Sequence, residues 1–262
     1  MAKKKKKLTK SGRIFLDIVL VVSLCVAAFS GWKIYSELHQ YKANDQKYED
    51  LRQAVTVATP TPSASASADT SLVTDNIDWS ALQAINSDVA GWIRQPDTPI
   101  DYPVVYGSDN SYYLRHTLDG EYSIFGTIFV DYQNNRGFVD KNTVIFGHHF
   151  SHYDDTMLTT LDYYNDQSYY DAHPYLEFLT PDTDYLLYPI AGVVKQGSDA
   201  YVRTSFADDD DYAAYVQNFI NNSTFQSTQT FSPSDQTVLI SSCSDLVQDG
   251  RYALLCKLVK AD

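Results

Sequence analysis

QTVLISSCSDLVQDGRYALLCKLV, residues 236–259, is the stretch that decides the fold. A run of β-branched and apolar residues stands at each end of it, and a polar segment that closes on glycine separates the two runs. This pattern predicts two strands joined in a β-hairpin. The hairpin brings Cys243, at the end of the first strand, close to Arg251, at the start of the second.

The chemistry of Cys243 has two interpretations. An inert packed thiol is common for cysteine, whereas a thiol at a strand end beside a cation can be held as a reactive thiolate. Polar neighbours favour the second interpretation, and they are Ser241, Ser242, Ser244 and Asp245. Arg251 is then either the group that holds a substrate carbonyl and its developing oxyanion or a surface cation of an acidic protein.

Cys256 lies in the second strand of the hairpin. Because side chains alternate across a strand, Cys256 falls on the face opposite to Arg251. The pattern therefore predicts a core cysteine and not a disulfide with Cys243. The chain has 3 cysteines in all, too few for a disulfide scaffold.

Strand-like segments rich in β-branched and aromatic residues dominate the chain upstream of the hairpin. Two helical stretches interrupt them, at 154–172 and 208–222, and a short amphipathic helix opens the segment 76–93. Many strands with few helices predict a mainly-β fold, either a closed barrel or a sandwich. With those of the hairpin, the predicted strands are 99–106, 124–131, 142–147, 175–180, 184–194, 236–242 and 251–259.

The N-terminus reads as a membrane anchor. A basic tail at 1–13, which contains Lys3–Lys7, precedes the apolar stretch IFLDIVLVVSLCVAAFSGWKIY at 14–35. About 20 apolar residues span a bilayer as a helix, and the positive-inside rule places the basic tail in the cytoplasm and the remainder outside. A cleaved signal peptide is the alternative, which the length of the apolar stretch disfavours.

Residues 36–75 predict an extracellular stalk and linker, since the run ATPTPSASASADT at 58–70 has no side chains to bury. The folded domain is expected at 76–262. The formal net charge of the chain is -13, and the acidic excess lies in this domain. An acidic body argues against nucleic-acid binding, which needs a basic surface.

A histidine cluster follows another predicted strand, in NTVIFGHHFSHYDD at 142–155. A thiol that transfers acyl groups needs a proton carrier, usually histidine, and His148 stands directly after the strand. His148 and His152 also have the spacing of a metal pair on a helix. Helical geometry is not expected just after a strand and a glycine, and no zinc-protease motif is present. No metal is therefore predicted.

Taken together, these segments resemble the sortases, the membrane-anchored cysteine transpeptidases of Gram-positive cell surfaces. The resemblance rests on TVIFGHHF around the histidine and on TVLISSCSD…GR around the cysteine and the arginine. Upstream, NSDVAGWI, IDYPVVYGSDNSYYLRH and GTIFVD resemble class B in particular. The similar region covers about 76–260. It implies an eight-stranded sortase-type β-barrel with an N-terminal helix and a helix inserted before the last strands.

The resemblance also implies a catalytic set, His148, Cys243 and Arg251. Asp245 is expected to orient His148. The side chains expected to line the sorting-signal groove are Asn110, Leu114, Phe146, Ser241, Ser242 and Ser244. Two of them depart from the family pattern. Ser242 stands where the family usually has threonine, and Phe146 stands where class B often has tyrosine, so the groove loses a methyl and a hydroxyl.

The activity implied by the resemblance is cleavage of a C-terminal sorting signal after threonine through a thioester acyl-enzyme. The protein is then transferred to an amine of the cell wall precursor or of a pilin, with no metal or organic cofactor. Two alternatives remain open at this point. The chain is another secreted cysteine peptidase, or it is a non-catalytic anchored binding protein, which would tolerate Cys243→Ala.

Overall fold

The computed structural model describes residues 9–57, 76–150 and 155–261. Three features of the sequence lie outside these ranges: the basic run Lys3–Lys7, the Pro/Ser/Ala linker at 58–70 and His152.

The chain divides into two compact units, residues 1–51 and 52–262. The described part of the first unit contains most of helix α1 (Lys10–Val55). Among the described residues, α1 is the one helix long and apolar enough to cross a membrane, judged by length and composition. The apolar stretch at 14–35 lies within it. The boundaries assigned to the tail, the span, the stalk and the domain remain predictions.

The second unit is built on a closed barrel of eight strands. A short antiparallel pair, β1 (Thr56–Val57) and β2 (Asn76–Ile77), and helix α2 (Trp79–Ile85) precede the barrel strands. The barrel strands in chain order are β3 (Val89–Arg94), β4 (Asp101–Tyr106), β5 (Ile128–Val130), β6 (Asn142–Phe146), β7 (Leu176–Leu179), β8 (Tyr185–Gln196), β9 (Gln236–Ser244) and β10 (Gly250–Lys260).

Around the barrel the strand order is β10, β8, β7, β3, β4, β5, β6 and β9, which pairs again with β10. Neighbouring strands are antiparallel, except that β4 runs parallel to β5 and β6 runs parallel to β9. Closure pairs each of the eight barrel strands on both sides. The predicted mainly-β barrel and the predicted hairpin of β9 and β10 are confirmed.

Strand β3 was not predicted, because the sequence pattern assigned helical spacing to the start of 76–93 and no strand to its end. Helix α2 stops at Ile85, and Asn86 caps it with an extended backbone. The first five residues of β3 are all buried, so no alternation of polar and apolar residues marks the strand. A Cβ at Gly91 would lie 2.6 Å from the carbonyl oxygen of Leu179. Glycine therefore allows β3 to approach β7.

Helical segments fill the connections between strands: the 3₁₀ helices η1 (Tyr112–Leu114) and η2 (Thr159–Asn165), and the helices α3 (Gln167–Ala172) and α4 (Asp209–Asn221). Helix α4, inserted between β8 and β9 as predicted, begins at the cap Asp208, whose carboxylate accepts from the backbone N–H of Asp211. Its buried face belongs to one apolar cluster with Leu239 of β9 and Leu255 of β10. The helix thus covers one face of the cysteine hairpin.

Candidate active site

Cys243 and Arg251 are directly paired across the β9–β10 ladder. Directly opposed residues of an antiparallel pair present their side chains on the same face. Cys243 is exposed, although the strand leading to it is buried. The other hairpin cysteine, Cys256, is fully buried, and burial raises the pKa of its thiol well above the ordinary value. Of the two hairpin cysteines, Cys243 is therefore the one placed to react.

An open cavity of about 360 Å³ surrounds Cys243. Eight of the residues singled out from the sequence contribute to its lining. The lining consists of Asn110, Leu114, Phe129, Phe146, Gly147, His148, Tyr201, Ser241, Ser242, Cys243 and Arg251.

His148 reaches the cavity because β6 runs parallel to β9. The pair Phe146 and Ser241 is in register, and the backbone N–H of Gly147 donates to the carbonyl oxygen of Ser241 at 3.2 Å. His148 and Cys243 each lie two residues beyond that register pair. Two distant segments of the chain thus end side by side.

The His148 ring is held by the carbonyl oxygen of Leu114, 2.8 Å from Nε2. Because a carbonyl can only accept, Nε2 carries the hydrogen and Nδ1 is left able to take a proton. Burial lowers the pKa of His148 below its ordinary value of 6.5, and the charge of Arg115 lowers it further, against the opposing effect of the Leu114 hydrogen bond. The neutral imidazole is therefore favoured near neutral pH.

Arg251 is half-buried, and its Nη1 donates to the loop that joins the two strands. The acceptors are the carbonyl oxygens of Gly250 and Asp249, at 2.7 and 3.3 Å, and Oδ1 of Asp249, at 3.2 Å. Within the described ranges, Nε and Nη2 make no hydrogen bond to the protein. A guanidinium anchored through one nitrogen retains donors for a ligand.

Tyr201 and Phe129 line the cavity but were not found from the sequence. Tyr201 lies between β8 and α4, where no periodic pattern singles it out, and its hydroxyl is 2.8 Å from Oγ of Ser241. Burial raises the pKa of Tyr201, and the hydrogen bond to Ser241 and the charge of Arg251 oppose that rise. Phe129 of β5 is paired in register with Phe146. Only the closed barrel brings these side chains to the groove.

Two of the predicted residues do not line the cavity. Because Ser244 follows Cys243 in the strand, its side chain takes the opposite face, where it is buried and donates to Oδ2 of Asp162 at 3.0 Å. The Asp245 carboxylate is largely exposed and lies 4.0 Å from Nδ1 of His149. The structure thus puts Asp245 beside His149, whereas the sequence analysis expected it beside His148.

Asn110 lines the cavity, and both polar atoms of its side-chain amide form hydrogen bonds within the protein. Its Nδ2 donates to Asp131 Oδ2 at 3.0 Å, and its Oδ1 accepts from the backbone N–H of Tyr132 at 3.1 Å. These bonds tie the loop before η1 to the end of β5. Asn110 therefore shapes the groove wall through its internal contacts.

Comparison with known proteins decides the family. No protein-family model matches the chain. The sortase B of Listeria monocytogenes is 34% identical over 247 residues, which cover 93% of this chain and 96% of that protein. The chain belongs to the sortase B family. This sortase is also 27% identical to the sortase B of Staphylococcus aureus over 248 residues, which cover 94% of this chain and 97% of that protein.

Solved structures give the same result. The Staphylococcus aureus sortase B–substrate complex matches with a TM-score of 0.66 and 30% identity, over 71% of this chain and 86% of that one. This sortase thus belongs to a family of transpeptidases. The reaction of that family involves a substrate protein and an amine acceptor.

The two departures from the family pattern have a structural setting in this sortase. Ser242 is buried, and its hydroxyl donates to the carbonyl oxygen of Cys243 at 3.0 Å. The Phe146 ring packs on Phe129 with centroids 5.5 Å apart, so this wall of the groove is an aromatic pair without a hydroxyl.

Proposed function

We propose that this sortase is a membrane-anchored cysteine transpeptidase. It cleaves a C-terminal sorting signal after threonine and transfers the protein to an amine. The observation that carries the proposal is that Cys243, His148 and Arg251 line one open cavity. A nucleophile, a proton carrier and a donor that stabilises the oxyanion are the groups that acyl transfer through a thioester uses, and a guanidinium can serve as that donor.

In the first half of the reaction, neutral His148 takes the proton of the Cys243 thiol. The sulfur attacks the threonine carbonyl carbon, and Arg251 stabilises the charge that develops on its oxygen. The C–N bond breaks as the imidazolium of His148 returns the proton to the leaving amine. The products are a thioester on Cys243 and the released C-terminal peptide.

In the second half, His148 takes a proton from an incoming amine as its nitrogen attacks the thioester carbonyl. The C–S bond breaks, and the proton passes to the sulfur of Cys243. The acceptor is an amine of the cell wall precursor or of a pilin. The lowered pKa of His148 supports this assignment, because neutral imidazole is the form that starts each half.

The anchor in this proposal is the apolar stretch at 14–35, within α1. With the basic tail in the cytoplasm, the catalytic unit faces the outside of the cell membrane. The apolar length of α1 and the lysines at Lys3–Lys7 support this orientation. A sorting signal that crosses the same membrane would then meet the enzyme on the outer side.

The test uses the full-length chain in detergent, as wild type and as Cys243→Ala. Each is incubated with a panel of fluorogenic sorting-signal peptides, with and without an amine acceptor, and acyl-enzyme is sought by mass spectrometry. We expect an adduct on Cys243 in the wild type alone, and a transfer product when the amine is present. Hydrolysis without transfer would indicate a peptidase, and no adduct from a folded protein would indicate a binding protein.

A further inference from the structure

A second polar cluster is formed by residues that directly follow His148 and Cys243 in the chain, together with Asp162. His149 follows His148, and its Nε2 is 3.2 Å from Oδ2 of Asp162 in η2. The same oxygen accepts from Oγ of Ser244, at 3.0 Å, and from the backbone N–H of Asp245, at 3.2 Å. One carboxylate oxygen therefore joins the segment that carries His148 to the segment that carries Cys243.

This cluster is buried, and only one oxygen of its carboxylate accepts hydrogen bonds from the described residues. The side chains of His149 and Asp162 are 5% and 9% exposed. The other oxygen of Asp162, Oδ1, is also buried, and no hydrogen-bond partner for it exists among the described residues. A buried carboxylate with one unpaired oxygen costs stability. A role in defining the geometry of the adjacent site accounts for such a group better than a role in stability.

The backbone around His149 has a matching constraint. The carbonyl oxygen of His148 accepts from the backbone N–H of Leu158 at 3.0 Å, and His149 forms an antiparallel bridge with Met157. On the cysteine side, Ser244 Oγ also accepts from the backbone N–H of Leu246 at 3.2 Å. The backbone of each catalytic segment is thus fixed by contacts at, or one residue away from, the residue that carries the reactive side chain.

We propose that Asp162 and His149 form a positioning pair, which holds the His148 segment and the Cys243 strand end in register for proton transfer. The inference rests on the proposed function of Cys243 and His148. Neither Asp162 nor His149 lines the cavity, so the pair acts through its chain neighbours and not by touching the substrate. Ser244 belongs to the same arrangement, which gives it a role that differs from the substrate contact expected from the sequence.

The rate should respond strongly to this pair. A displacement of about 1 Å between reacting groups can cost up to about 10²-fold in rate. Loosening one of several constraints should cost less, so we expect Asp162→Asn and His149→Ala each to lower kcat by about tenfold. KM for the sorting peptide should stay within about twofold, because the substrate contacts are untouched.

The variants form a matched series. His149→Gln places an amide N–H near the position of Nε2 and should recover most of the kcat lost in His149→Ala. The double variant His149→Ala with Asp162→Asn should be no slower than the slower single variant, since each single change already removes the contact between His149 and Asp162. Asp235→Asn is the control. It removes a carboxylate 2.9 Å from Lys257 Nζ, and it precedes the opposite end of β9.

The measurements are kcat per titrated Cys243 thiol, KM, thermal stability and the NMR tautomer of His149, all on the full-length chain in detergent. In the wild type, the Nε2–H tautomer signal of His149 should be present, and it should change in Asp162→Asn. Unchanged kcat per titrated thiol in Asp162→Asn and His149→Ala would overturn the proposal. So would a loss confined to KM, or a loss that Asp235→Asn reproduces at equal stability.

One further readout separates this inference from the proposed function. Alkylation of Cys243 by iodoacetamide, followed by mass spectrometry, needs no sorting peptide. If the wild type turns over no peptide, the proposed function fails. A slower alkylation of Cys243 in His149→Ala, absent in Asp235→Asn, would then still support positioning, and equal alkylation rates in all three proteins would reject it.

Discussion

Cys243 and Arg251 face each other across the β9–β10 ladder, as one register pair of two adjacent strands. The hydrogen bonds of the ladder set the separation of the two backbones at this pair. Since β10 is also paired with β8 along its length, Arg251 is held from both sides. The geometry of the site is thus a property of the barrel.

Replacement of Arg251 by lysine should be severe although the charge is kept. The guanidinium offers several donors in a fixed plane, whereas lysine offers a single mobile ammonium group. We expect kcat/KM for a sorting peptide to fall by about 10²- to 10³-fold, the cost of losing an oxyanion donor. Lys257→Arg, a cation exchange near the other end of β10, should leave turnover unchanged. Equal turnover of Arg251→Lys and wild type would exclude the guanidinium from the reaction.

Gly147 tolerates no side chain in the present packing. A Cβ there would lie 2.6 Å from Cδ1 and 2.9 Å from Cγ of Leu158. Gly147→Ala should therefore displace the His148 segment and lower the free energy of unfolding by about 1–3 kcal/mol. Denaturant unfolding measures this cost. The cost should shrink in a Leu158→Ala background, which removes both clashing atoms. The same cost in both backgrounds would point to a backbone effect and not to the clash.

The lowered pKa of His148 makes stability depend on pH in a defined direction. The imidazole stays neutral in the folded chain below its ordinary pKa of 6.5, whereas the unfolded chain takes up a proton there. The unfolded state then binds more protons, so stability falls as pH drops from 6.5 through the folded pKa. Thermal unfolding between pH 7.5 and 5 should show this loss, and His148→Gln should reduce it. An identical pH dependence in both proteins would contradict the assignment.

The pH dependence of catalytic activity should also be set by the protonation of His148. Neutral His148 is the form that accepts the thiol proton, so kcat/KM should fall on the acid side with a midpoint below 6.5. Arg115→Gln removes a positive charge that lowers the pKa of His148, and it should move that midpoint to higher pH. The measurement is a pH profile of kcat/KM for both proteins. A midpoint that moves to lower pH would reverse the proposed electrostatic effect.

Tyr201 should contribute to the groove wall through one hydrogen bond. Its hydroxyl and Oγ of Ser241 are 2.8 Å apart and buried. Tyr201→Phe leaves the ring and should lower the free energy of unfolding by about 1 kcal/mol, since it leaves the serine hydroxyl without this partner. Ser241→Ala with Tyr201→Phe should cost less than the sum of the single changes in a double-mutant cycle. Strict additivity would show that the two hydroxyls are not coupled.

The sequence by itself determined the hairpin of β9 and β10, most of the other barrel strands, the inserted helix α4 and an apolar N-terminal stretch. These features are recorded locally, because β-branched runs, turn residues and helical spacing act within a few residues of each other. The expectation that Cys243 and Arg251 lie together has the same origin, since a single turn separates their strands.

The tertiary structure decided what depends on contacts between distant segments. Strand β3 is buried on both faces, so its sequence carries no alternation, and its place is set by pairing with β4 and β7. Tyr201 reaches the groove, and Asp162 meets His149 and Ser244, only because the barrel closes. Local periodicity records which face of a strand is buried, but not which distant side chain covers that face. The residues around Cys243 could therefore be named from the sequence only where they share its strand, its hairpin or a family motif.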